Sequence, residues 1–84
     1  MFEFKPGDLF MTKPTHATPA CVLILEPGMV YLPRDKGVGK PGWVCLMNLG
    51  GDIFTTTETN NDLNFMMRKD YYDMERVSTP DDNV

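Results

Sequence analysis

The sequence predicts a mainly β protein: one small barrel of about five short strands, with a single short helix near residues 61–70. Short runs of apolar and β-branched residues alternate with Gly/Pro turns along most of the chain, which is the pattern of short strands. After Thr59 the apolar spacing changes to that of a helix face. A chain of 84 residues makes one domain, with a core large enough to fold alone but little stability to spare. The domain is assigned to residues 1–78 and a polar C-terminal tail to residues 79–84.

The elements follow in order. Lys5-Pro6-Gly7-Asp8 is turn chemistry, since Pro presets φ, Gly permits positive φ and Asp bonds nearby amides. A short strand, Leu9 to Thr12, comes next, and then an irregular loop over residues 13–19 with two prolines. Ala20 to Glu26 is the strongest strand, apolar on both faces, and Pro27-Gly28 is expected to end it. Met29 to Leu32 reads as a brief strand or extended loop, followed by an exposed Gly-rich loop over residues 34–42. Trp43 to Leu49 and Asp52 to Glu58 form a hairpin around Gly50-Gly51, which supply the positive-φ positions of a tight turn. That turn sets Leu49 opposite Asp52, Met47 opposite Phe54 and Cys45 opposite Thr56. Leu63, Met66, Met67, Tyr71 and Met74 lie 3, 4, 8 and 11 residues from the first, one face of a helix, with N-cap candidates in residues 59–62. Glu75 to Ser78 is a last short strand, and Thr79 onward a frayed tail.

Closing such strands into a barrel, fully or in part, removes exposed sheet edges. The order KPGDLFM … ACVLILEPG … GWVCLMNLGGDIFTTTE … DMERV resembles the SH3-like barrels over residues 5–58. It is similar in particular to short uncharacterised proteins of tailed bacteriophages. The resemblance implies a fold and carries no catalytic residue.

The net charge of −4 is uneven. Residues 1–57 are balanced, whereas residues 58–84 hold Arg68, Lys69 and Arg76 against seven acidic residues. An acidic segment repels phosphate backbones, so nucleic acid is not an expected partner. The longest apolar run, Ala20 to Leu25, is far short of the roughly 20 residues that span a bilayer. The first residues lack a basic, apolar leader pattern, so the expectation is a cytoplasmic protein (host cytoplasm if phage-encoded) with no membrane partner. Cys21 and Cys45 sit inside apolar strands and read as buried, reduced thiols.

Little of the sequence suggests chemistry. Gly37-Val38-Gly39-Lys40 lacks the hydroxyl residue and following helix that a phosphate-binding loop requires, and Pro41 follows instead. His16, Cys21 and Cys45 are too scattered for a structural zinc site, and nothing pairs them as base and nucleophile. His16 is expected to face water. Asp70, Asp73 and Glu75 lack the alternating ligands of a calcium loop and read as a solvated acidic face. The seven methionines read as core filler. No enzyme, cofactor or metal is therefore expected.

The best binding candidate is the region of Tyr31, Arg34, Lys36, Lys40 and Trp43. It joins charges to aromatics on a segment with backbone freedom, the residue types that dominate protein interfaces. The expected function is a non-catalytic protein–protein interaction module, a small phage accessory protein acting on a host or viral partner. The alternative is a nucleic-acid-binding barrel, since charges and stacking rings in the same region suit a single strand.

Overall fold

The computed structural model describes residues 1–33 and 37–80. Five strands and one helix follow one another: β1 (Leu9–Thr12), β2 (Ala20–Val30), β3 (Lys40–Leu49), β4 (Asp52–Thr59), α1 (Asn60–Met66) and β5 (Met74–Ser78). The strands form one antiparallel sheet in the order β4-β3-β2-β1-β5. Each strand up to β4 pairs with the one before it. The last strand then returns to pair with the first. Among the described residues β4 and β5 do not pair with each other, so the sheet is open and not a closed barrel.

The tight turn forms as its glycines require, with φ of +63° at Gly50 and +103° at Gly51. The register places Leu49, Met47 and Cys45 opposite Asp52, Phe54 and Thr56, as the two-residue loop dictates. Two strands run longer than their prolines suggested. β2 continues through Pro27-Gly28 to Val30, and β3 begins at Lys40 rather than Trp43. Geometry explains both. β1 pairs with β2 only as far as Leu23, so Pro27 lies where β2 has no β1 partner to bond. Pro41 lies past Gly42, the last β3 residue paired with β4. A missing N–H is tolerated at such free edges. The register also shifts between Ile24 and Glu26, a bulge that leaves Leu25 unpaired.

The helix is shorter than the apolar spacing suggested. Thr59 caps it, its side chain accepting from the Asp62 N–H at 3.2 Å. Met67 ends it, and irregular turns carry the chain to Asp73 at φ +51°. Tyr71 and Met74 match helical spacing only by coincidence: Met74 already belongs to β5, opposite Thr12.

The core lies between one face of the sheet and the helix. Phe4, Phe10, Ala20, Val22, Ile24, Cys45, Met47, Leu63, Met67 and Met74 form one buried cluster. Each fully buried large side chain contributes roughly 1.5–3 kcal/mol of transfer free energy. Phe2, Phe4 and Phe10 pack edge-on or tilted, with ring centroids 5.0 to 6.5 Å apart. Asn64 holds the N-terminal segment to the helix, accepting from the Phe2 N–H at 2.6 Å and donating to the Phe2 carbonyl at 3.1 Å. No helix among the described residues is long and apolar enough to cross a membrane.

Candidate interaction surface

The β2–β3 ladder ends with Val30 paired to Lys40, and the connection between them runs over residues 31–39. Arg34 and Lys36 of the expected site lie outside the described residues. Tyr31 is 64% exposed, and its ring covers the backbone of Gly39. Lys40 is exposed at the start of β3. Trp43 differs: it is half-buried against the core, and its indole N–H donates to Asn60 Oδ1 at 2.8 Å. It lies three residues along β3 from Lys40, roughly 10 Å at strand rise. Trp43 thus belongs to the structure, packed against the core and bonded to the helix start, while Tyr31 and Lys40 are exposed.

The register of the β3–β4 hairpin adds a second wall to this region. Gly42 pairs with Thr59, which brings the start of α1 beside Pro41 and Lys40. A Cβ on Gly42 would stand 2.3 Å from the Glu58 carbonyl oxygen, so only glycine permits this approach. Between loop and helix runs a groove of about 500 Å³, lined by Leu32, Lys40, Pro41, Thr59, Asn60, Asn61 and Asp62. Its walls carry one cation, one carboxylate and several amide and hydroxyl groups, suited to hydrogen-bonding a polar partner. The sequence marks Asn60 and Asp62 only as helix-capping residues. Their place beside the loop depends on strand register, which no local signal encodes.

Other candidates resolve into structure. His16, expected to face water, is half-buried: Nε2–H donates to the Tyr71 carbonyl at 2.9 Å while Nδ1 accepts from the Thr18 N–H at 3.0 Å. With both ring nitrogens engaged, it is not placed to serve either thiol. The Lys13 ammonium reaches both carboxylate oxygens of Asp73, at 3.1 and 3.2 Å, tying the same loop to the turn before β5. Cys45 is fully buried and Cys21 only half-buried, and both are free thiols. The two do not face each other, because Cys21 pairs with Asn48 and Cys45 with Ile24. Burial, reinforced by the negative charge of Glu58, pushes the Cys45 thiol up to about 12. Among the described residues, no group of three or more His, Cys, Asp or Glu side chains could hold a metal ion.

One buried carboxylate needs explaining. Asp8 is wholly inaccessible, yet its oxygens accept from the Lys5 N–H at 3.0 Å and the Thr79 hydroxyl at 2.5 Å. Arg76 stands 3.5 Å from it, stacks over the Phe2 and Phe10 rings, and donates to the Glu3 carbonyl. The turn-forming Asp is thus also the anchor for the end of the chain. Thr79 and Pro80, assigned to the tail from sequence, dock here, with Pro80 against Gly7. Residues 81–84 of that tail lie outside the described residues.

Sequence reasoning missed an aromatic patch beyond the helix. Phe65 and Tyr71 are 54% and 52% exposed, meet edge-on at 5.7 Å, and are flanked by Arg68 over Phe65 and by Tyr72 stacked on Tyr71. Helical spacing had put Tyr71 on the apolar face, and the early end of α1 turns it outward. We found no protein-family model, curated protein or solved structure that matches the chain.

Proposed function

We propose that the protein is a non-catalytic protein–protein interaction module built on an open variant of the SH3-like barrel. The β2–β3 loop and the groove beside it form its binding surface. The return of β5 to β1, an incipient barrel closure, supports the fold reading. The functional reading is carried by the exposed Tyr31 ring, held over Gly39 and next in sequence to Leu32, which lines the groove with Lys40. A large ring kept in water beside hydrogen-bonding groups offers contact area at little ordering cost, the usual make-up of an interface anchor. Arg34 and Lys36 belong to the same loop and add two cations to it. The assignment as a small phage accessory protein acting on a host or viral partner rests on the sequence resemblance alone.

Capture from a host extract at low and at raised salt tests the class of partner. A protein interface centred on an aromatic ring holds its partner as salt rises, because rim charges affect mainly the association rate. Recovery of nucleic acid instead, with affinity falling steeply with salt, would replace the proposal with the nucleic-acid reading.

A further inference from the structure

The two outer strands of the sheet are unlike each other. β5 is five residues long, carries Glu75 and Arg76, and meets β1 through a register shift. Shortness, charge and irregularity are the features by which edge strands avoid pairing with other chains. β4 is neither short nor irregular, and its two charges, Asp52 and Glu58, lie toward its ends. It runs eight residues, Asp-Ile-Phe-Thr-Thr-Thr-Glu-Thr, in unbroken register with β3, without proline or cation, and with no charge between Asp52 and Glu58. Ile53 is 69% exposed on the face away from the core, and Phe54 40% exposed on the face that carries Met47.

The hairpin turn fixes which backbone groups of β4 are unused. In a two-residue loop the flanking residues, Leu49 and Asp52, form a hydrogen-bonded pair, and bonded and non-bonded pairs then alternate along an antiparallel ladder. Phe54, Thr56 and Glu58 therefore bond to β3. Ile53, Thr55 and Thr57 direct N–H and C=O away from it, toward a side where the described residues place no strand. Such a row of donors and acceptors is complementary to one thing, an extended strand.

We propose that β4 is the dimerisation edge of this protein, pairing antiparallel with β4 of a second copy about a two-fold axis to make a continuous ten-stranded sheet, twice the five strands of one chain. Charge selects the register of this pairing. A two-fold axis perpendicular to the sheet sets one residue opposite itself. Centring it on Thr55 would put Asp52 against Glu58 of the second copy twice, and centring it on Thr56 would put Phe54 against that Glu58. Centred on Phe54, the two Phe54 rings meet as a non-bonded pair, where side chains approach most closely. Ile53 and Thr55 then exchange hydrogen bonds with Thr55 and Ile53 of the second copy, and Asp52 faces only Thr56. The neutral stretch of β4 and its exposed apolar pair are thereby matched by the same features related by symmetry.

The test combines mass measurement with amide exchange on the intact protein, from micromolar to millimolar concentration. The expected result is a concentration-dependent dimer in which the Ile53 and Thr55 amides become slow to exchange, while those of Phe54 and Thr56 are slow in monomer and dimer alike. Thr55→Pro removes an outward N–H and leaves the β3 ladder intact, so it should abolish the dimer. Ile53→Lys, a change at an exposed site, should do the same without any backbone constraint, with the far-ultraviolet spectrum of the monomer retained in both. A monomer throughout, a dimer that survives both substitutions, or protection of Ile53 and Thr55 that appears only when a different protein is added would each overturn the proposal.

Discussion

Asp8 shows how one residue in a turn motif comes to hold three parts of the chain. Its carboxylate bridges the Lys5 amide, Thr79 and Arg76 while fully buried, so removing it leaves the Arg76 cation and two donors without their partner. Asp8→Ala is expected to cost about 3 kcal/mol, the low end for breaking a buried ion pair, because Arg76 is partly in water. Denaturant unfolding with an unchanged slope measures it. Cys45 makes a different kind of prediction. Its folded pKa is raised to about 12 from 9.0, so at alkaline pH the unfolded chain releases this proton first. Stability from this group is complete below pH 9.0 and is lost as pH rises toward about 12, at about 1.4 kcal/mol per unit. Cys45→Ala should flatten that part of the pH–stability profile, and an unchanged profile would remove the thiol as its cause. At neutral pH Cys21 should react with thiol reagents well before Cys45, since only Cys21 is partly accessible.

At the scale of elements, what could be read in the sequence was whatever local chemistry decides. The Gly50-Gly51 turn fixes the β3–β4 register because a two-residue loop leaves a single way to pair the flanking residues. Thr59 was legible among the cap candidates because its hydroxyl suits the first helical amides. What was not legible depends on neighbours far along the chain. Pro27 looked like a strand end, yet it sits where β2 has no partner to lose. Tyr71 and Met74 kept helical spacing although the chain had already left the helix. Of the candidate surface, Tyr31 and Lys40 were legible as exposed loop chemistry. Trp43 could not be assigned from its type alone, and Asn60 and Asp62 joined the groove only through the hairpin register. Gly42 is where that register is most exposed to a mutation. Gly42→Ala puts a methyl group 2.3 Å from a backbone oxygen and should cost about 1–3 kcal/mol, read as a lowered unfolding midpoint. A variant as stable as wild type would mean that β3 and β4 are not packed as described.

For the molecule as a whole, the distribution of charge bears on nucleic-acid binding. The acidic last third of the chain includes the helix and β5, and the 31–43 region offers only Arg34, Lys36 and Lys40 as cations. Binding of single- or double-stranded oligonucleotides at about 0.15 M salt should therefore be no tighter than the nonspecific range. Gel shifts decide this, and a tighter complex would favour the nucleic-acid alternative. The central claim is that the loop and groove around Tyr31 and Lys40 recognise a protein. Its most direct measurement is partner capture by a Tyr31→Ala, Lys40→Ala double variant, with the thermal melt of the same sample recorded beside it. Both side chains are exposed, so the melt should shift little while capture falls at least tenfold, a loss of about 1.4 kcal/mol or more. Undiminished capture by a variant that melts like wild type would contradict the claim and place recognition elsewhere on the molecule.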